Sequence, residues 1–120
     1  MKAPETPPRL TPTRLDAAAA FAALGAPQRL GVLEVLVRAG PDGLPIGILG
    51  ERAGVTGSTL THHVKALVQA RLVTQTREGR IMRCTVAYGR VEALSDYLLA
   101  QCCADSPAGH DHGRDHNTAS

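Results

Sequence analysis

No apolar run in this chain approaches the roughly 20 residues that a membrane-spanning helix requires. The first residues, MKAPETPPRLTPTR, are rich in Pro and Thr and do not have the apolar centre of a signal peptide. Aromatic residues are scarce, with no Trp, two Tyr and one Phe, and no grouping of nucleophile, base and oxyanion donors is evident. We therefore expect a cytoplasmic protein that is not an enzyme.

The charge of the chain is small overall but unevenly placed. The formal net charge is +2, yet residues 52–90 contain seven basic residues and a single acid, Glu78. A basic segment of this kind attracts phosphate groups.

Residues 46–72 contain two helical patterns joined by a turn. The first has an apolar stripe formed by Ile46, Leu49 and Ala53. Gly54 follows it, where a left-handed backbone costs little. The second helix starts at Gly57 or Ser58, and its apolar stripe consists of Leu60, Val64, Leu67 and Val68. The pattern predicts a helix-turn-helix.

The opposite face of the second helix carries short polar and cationic side chains. They are Ser58, Thr59, Thr61, His62 and Lys65, with His63 at the edge of the face. The N-terminal residues of a recognition helix meet base edges and phosphates in the major groove, and these residue types suit that role. The alternative is an ordinary solvated helix face in a module that does not bind DNA.

The next segment predicts a β-hairpin. Residues 72–77 and 80–88 are rich in β-branched side chains, and Gly79 lies in the turn between them. Arg77 and Arg80 flank the tip, where cations can reach a DNA groove or phosphate track. The alternative for both arginines is protection of an exposed strand edge.

With this hairpin, the segment LGERAGVTGSTLTHHVKALVQARLV resembles the ArsR/SmtB family of winged-helix regulators, and the resemblance extends over residues 15–104. It includes the segment Ala26-Pro27-Gln28-Arg29-Leu30, which is similar to the start of the family's second helix. The resemblance implies a homodimer that binds a palindromic operator in double-stranded DNA, represses its operon and dissociates when an inducer binds.

The remaining patterns complete the expected fold, which is mainly α with a small β-hairpin, a dimeric winged helix-turn-helix in the order ααααββα. Helices are predicted at 15–24, 28–38 and 91–104. We expect a disordered arm at 1–13, one DNA-binding and dimerisation domain at 14–104, and a disordered tail at 105–120. A domain of this size is marginal as a monomer and comfortable as a dimer.

Two helical stripes are candidates for contact surfaces, and we expect the last helix to pack on the first helix of either protomer. On the first helix the stripe is Leu15, Ala18, Phe21 and Ala22, which we assign to the dimer interface; on the last it is Val91, Leu94, Leu98 and either Gln101 or Cys102. In the second helix the expected core residues are Leu30, Val32, Leu33, Leu36 and Val37.

The inducer is predicted from the cysteines. In the resembled family one arsenic site is a cysteine pair at the start of the helix-turn-helix, but residues 45–49 contain no sulfur here. A second family site, for zinc or nickel, needs histidines on the last helix, which has none. The remaining candidate is the adjacent pair Cys102 and Cys103 at the end of that helix.

Adjacent thiols favour a thiophilic centre, because thiolates are the ligands that select soft ions. A direct disulfide between neighbours is strained, since their Cα atoms lie about 3.8 Å apart and ordinary disulfides span about 4.4–6.8 Å. Trivalent arsenic or antimony, with longer bonds to sulfur, relaxes that strain. We therefore predict induction by As(III), Sb(III) or an organoarsenical at Cys102 and Cys103, with no cofactor required. The alternative is packing of two small residues at a dimer interface.

Three further points stay open at the level of sequence. Cys84 on the second strand is either a third metalloid ligand or inward-facing core, and a pair-only site favours organoarsenicals because their arsenic already carries a carbon. The rival function is a thiol redox or persulfide sensor. The tail residues His110, His112 and His116 either bind Zn(II) or Ni(II) loosely or are solvated.

Overall fold

The computed structural model describes residues 11–104, with side chains described up to residue 100. Within that range the elements are α1 (Arg14–Ala23), α2 (Pro27–Ala39), β1 (Leu44–Pro45), α3 (Ile46–Ala53), α4 (Gly57–Gln69), β2 (Val73–Glu78), β3 (Ile81–Val86) and α5 (Tyr88–Ala104). All the predicted helices and both hairpin strands are confirmed, and β1 is an addition to them. The expected arm and tail concern residues that are mostly or wholly outside the described range.

The sheet has three antiparallel strands in the order β1-β3-β2. The hairpin runs from Val73 opposite Val86 to Glu78 opposite Ile81, and its two-residue turn contains Gly79 at φ +66°. β1 lies on the other side of β3 and is only two residues long, so alternation of side chains could not reveal it. Gly43 precedes β1 at φ +66°, and a Cβ there would collide with the carbonyl oxygen of Cys84.

The core lies between the helices and the sheet. Its largest fully buried side chains are Leu36, Leu49, Leu67 and Leu72. They come from α2, α3, α4 and the residue before β2. Each contributes about 1.5–3 kcal/mol through its removal from water, so the core fixes the orientation of α3 and α4 relative to the hairpin of β2 and β3, which we call the wing.

α1 begins one residue before the predicted position because of a capping box. The Thr13 hydroxyl accepts a hydrogen bond from the backbone N–H of Asp16 at 3.0 Å, and the Asp16 carboxylate accepts one from the backbone N–H of Thr13 at 3.4 Å. These two bonds satisfy donors that a helix start leaves unpaired.

The face of α1 that packs into the core is a different one from the stripe predicted for the dimer interface. Ala17, Ala20 and Ala23 pack into the core, whereas Leu15 is 82% exposed and Phe21 37% exposed. Small side chains allow α1 to approach its neighbours closely, and the larger residues are left on the outer surface. The predicted stripe is therefore an open apolar face of the chain.

The predicted core of α2 is wrong in part. Leu30 and Val37 were expected in the core, but they are 38% and 42% exposed. α5 begins at Tyr88 rather than Val91, and Leu98 of its predicted stripe is 52% exposed in the single chain. Within the described residues no single helix is long and apolar enough to cross a membrane; α1 and α2 pass only as a pair, bent by 97°.

Candidate nucleic-acid interface

The turn between α3 and α4 is built on the last turn of α3. Gly54 adopts the predicted left-handed conformation at φ +74°, and its N–H donates to the carbonyl oxygen of Gly50 at 2.9 Å. The N–H of Val55 donates to the same oxygen at 3.1 Å, and the Val55 side chain is buried. These contacts fix the direction in which the chain enters α4.

At Gly50, α3 lies very close to the turn that follows it and to α4. A Cβ at this position would lie 2.7 Å from the carbonyl oxygen of Val55 and 2.8 Å from Cδ2 of Leu60. Real Cβ atoms essentially never make such short contacts. Gly50 therefore sets the angle between the two helices, a role that the sequence patterns did not predict.

α4 presents the predicted polar face to the surface. The exposed side chains are Ser58, Thr59, Thr61, His62 and Lys65, and the buried stripe includes Leu60, Val64 and Leu67. The Thr61 hydroxyl donates to the carbonyl oxygen of Gly57 at 3.3 Å, which leaves its oxygen free to accept. These side chains carry both donors and acceptors, as reading of base edges requires.

His63 does not belong to this exposed face, so the prediction that it lies at the edge of the face is wrong. Its side chain is only 8% exposed and contacts α2. Arg29 Nε donates to His63 Nδ1 at 3.4 Å, and His63 Nε2 lies 3.1 Å from the side-chain oxygen of Gln28. The signal was present in the sequence, because His63 falls three residues after Leu60 and four before Leu67.

The environment of His63 favours the neutral imidazole. Burial lowers its pKa most, and the nearby positive charge of Arg29 and the ring of His62 lower it further. Arg29 Nε can only donate, so Nδ1 carries no proton and Nε2–H donates to Gln28. The sequence patterns did not indicate this role for Gln28 or Arg29.

The wing places two arginines at its exposed tip. Arg77 on β2 and Arg80 in the turn are both exposed, in the position predicted for phosphate contacts. Arg83 is held differently, because its Nε donates to the Glu78 carboxylate at 2.9 Å and its Nη1 to the carbonyl oxygen of Asp42 at 3.2 Å. Arg83 thus ties the wing to the loop before β1 and offsets the one acid near the tip.

Cys84 lies at the centre of the sheet. It pairs with Leu44 on one side and Gln75 on the other, and its side chain is fully buried. Burial raises the pKa of its thiol, against a smaller opposite effect of a hydrogen bond with Gln75. A protonated, enclosed thiol is a poor metalloid ligand, so the arrangement favours the core interpretation of Cys84.

The predicted metalloid pair is described only through its backbone. α5 extends through Cys102 and Cys103 to Ala104, but the side chains of both lie outside the described range, as do His110, His112 and His116. Among the described residues, no three His, Cys, Asp or Glu side chains come together in a way that could hold a metal ion.

Comparison with known proteins finds a matching domain family and solved structures with a similar fold. Residues 24–76 match a family model described as a helix-turn-helix domain. An ArsR-like transcriptional regulator from Rhodococcus sp. RHA1 has 21% identity and a TM-score of 0.58, with 78% of this chain and 95% of that chain covered. No curated protein matches the sequence significantly.

Two further structures have the same fold. One is the homodimeric winged helix-turn-helix DNA-binding domain of a possible ArsR-family regulator from Mycobacterium bovis, at 22% identity, TM-score 0.57, and coverage of 79% and 83% of the two chains. The other is the transcriptional repressor BigR from Xylella fastidiosa, at 18% identity, TM-score 0.58, and coverage of 75% and 87%. These likenesses, the helix-turn-helix match and the three-stranded sheet with its β2–β3 wing show that the chain has the winged helix-turn-helix fold.

Proposed function

We propose that this protein is a transcriptional repressor of the ArsR type, which binds operator DNA as a homodimer. The observation that carries the proposal is the exposed polar face at the N-terminal half of α4, in a fold whose wing tip carries the exposed cations Arg77 and Arg80. The helix-turn-helix match and the likeness to named regulators support it.

The homodimer is supported by apolar surface that the single chain leaves open. On α1 the exposed side chains include Leu15 and Phe21, and on α5 they include Leu98 and Leu99. Burial of such side chains is the usual driving force for association. A two-fold dimer would present two α4 helices to half-sites about 34–36 Å apart, which is one turn of DNA.

DNA binding can be tested by selecting duplexes from a random library and measuring affinity for the selected site and for random DNA. Replacing Arg77 and Arg80 with Ala should weaken both affinities about equally and reduce the salt slope by about 0.9 for each phosphate that is no longer neutralised. Arg38→Ala, at an exposed arginine on α2, is the matched charge control and should change little. Equal affinity of the unmodified protein for selected and random duplexes would contradict the proposal.

Base reading has a different signature from phosphate contact. Replacing Thr61 or His62 with Ala should reduce discrimination between the selected site and random DNA by about 1–3 kcal/mol for each base that is no longer read. Binding to random DNA should change much less, because base contacts add little there.

For the inducer we propose a trivalent arsenical or antimonial bound by Cys102 and Cys103. The support is the chemistry of adjacent thiols at the end of a helix. With methylarsenite, two As–S bonds replace two As–OH bonds, and the thiol protons leave with the hydroxyls as two waters. The burial of Cys84 favours the pair-only site, and hence an organoarsenical with a carbon already on arsenic.

The inducer is tested by release of operator DNA, titrated in parallel with methylarsenite, arsenite, antimonite, zinc and peroxide. Cys102→Ser and Cys103→Ser should keep operator binding and lose the response to arsenicals. Cys84→Ser is the matched thiol control and should keep both. If the double variant at 102 and 103 still releases DNA with arsenicals but resists peroxide or persulfide, the redox function replaces the metalloid one.

A further inference from the structure

A polar cluster links α4 to α2 and α1 within an otherwise apolar contact. Arg29 is at its centre, with Nε donating to His63 Nδ1 and Nη1 donating to the carbonyl oxygen of Ala23 at 3.2 Å. Gln28 accepts from His63 on the other side of the ring. Through these bonds the recognition helix is attached to the first turn of α2 and the last turn of α1.

We propose that neutral His63 is a positioning residue for α4, and that proton uptake by His63 releases the helix from Arg29 and weakens operator binding. The proposal rests on DNA binding by α4 and adds a regulator to it, the proton. His63 touches no DNA in this arrangement, because its side chain is buried against α2.

Protonation of His63 would break its hydrogen bond with Arg29. A proton on Nδ1 would face the Arg29 N–H, so an acceptor becomes a donor and two cations come to lie within about 4 Å, where partial burial strengthens their repulsion. Arg29 on α2 and His62 on α4 are the charged or titratable groups that act on His63; among the described residues none from α1 or β2 does so. No carboxylate is among the groups that shift the pKa of His63 in the described part of the chain.

Stability of the folded protein is coupled to the protonation of His63. The pKa of His63 is lowered in the folded protein below its ordinary value of 6.5, so the unfolded chain takes up the proton first. The stabilising effect of the neutral ring is fully present above about pH 6.5 and is lost as the pH falls through the folded pKa. If the DNA-bound form excludes the proton, operator affinity falls by up to about tenfold per pH unit for each protomer below that pKa.

The test is operator affinity from about pH 8 to about pH 5 at constant ionic strength, with the fold checked by circular dichroism. Affinity of the unmodified protein should fall on acidification. His63→Gln, which does not titrate, should remove that fall. His62→Gln removes the neighbouring exposed ring, which the proposed function assigns to DNA, so it should lower operator affinity at every pH but keep the same fall on acidification.

Two further measurements distinguish a failure of this inference from a failure of the proposed DNA binding. Arg29→Gln retains His63 but removes the facing cation, so the transition should move to higher pH; this variant decides the question if His63→Gln does not fold. Nuclear magnetic resonance of the His63 ring should give the same midpoint. Affinity that stays flat or rises as the pH falls, or a fall that persists in His63→Gln, overturns the inference. Absence of selective binding at pH 8 instead overturns the proposed DNA binding.

Discussion

Gly50 offers a strict test of how α3 and α4 are packed. In Gly50→Ala the added methyl group would lie 2.7 Å from the Val55 carbonyl oxygen and 2.8 Å from Leu60 Cδ2. Neither atom can retreat easily, because Val55 is held by its hydrogen bond to the Gly50 carbonyl and Leu60 is buried in the core. The helices must therefore separate.

The size of the effect follows from a comparison within α3. Gly47→Ala adds the same methyl group where no atom lies within 4 Å. Gly50→Ala gains about 1 kcal/mol of helix propensity at an interior position, and Gly47→Ala, at the second residue of α3, gains no more than that. The difference between the two variants is therefore a lower limit on the cost of overpacking, which is about 1–3 kcal/mol. For a domain of this size each kcal/mol corresponds to about 4–8 °C in Tm.

The assay is thermal unfolding of both variants, followed by circular dichroism, together with their affinity for the selected operator. Gly50→Ala should unfold well below Gly47→Ala and should bind operator more weakly, because α4, the proposed recognition helix, is displaced. If the two variants unfold within about 0.5 kcal/mol of each other, the close approach at Gly50 does not limit packing and the reasoning is wrong.

Three further substitutions or treatments have defined outcomes. Arg71 follows α4 with φ +67°, a left-handed conformation that glycine adopts at lower cost, and the N–H of Leu72 donates to the Leu67 carbonyl oxygen. Arg71→Gly should therefore raise the free energy of unfolding by about 1 kcal/mol. A decrease would mean that the arginine side chain makes a compensating contact. Thr13→Ala removes the capping box and should lower the free energy of unfolding by about 1 kcal/mol, measured by denaturant titration. Little or no change would mean that the start of α1 is frayed in solution. Native alkylation followed by mass spectrometry should leave Cys84 unmodified until denaturant is added, because burial raises its pKa; rapid native labelling would contradict its place in the core.

The sequence predicted best where periodicity and special residues agree. α4 combines an apolar stripe with polar residues opposite, and Gly54 and Gly79 mark turns that need positive φ. Those features are local, so they can be recognised in the sequence without knowledge of the tertiary packing. The winged fold follows from them.

The sequence predicted poorly where packing decides. α1 is rich in alanine, so nearly any face looks apolar, and only contact with its neighbours selects Ala17, Ala20 and Ala23. β1 pairs with a strand forty residues away in the chain and has no pattern of its own. His63 was assigned by its residue type to the DNA face, although its helical position already placed it with the buried stripe.

The position of the tyrosines makes α5 observable without a label. The chain has no tryptophan, and both of its tyrosines, Tyr88 and Tyr97, belong to α5. Tyr88 donates from its hydroxyl to the Val37 carbonyl oxygen at 3.2 Å, and Tyr97 packs at the border of the core. Tyrosine emission therefore comes only from the helix that carries Cys102 and Cys103, so the proposed metalloid binding can be followed in an ordinary fluorimeter before any DNA is added.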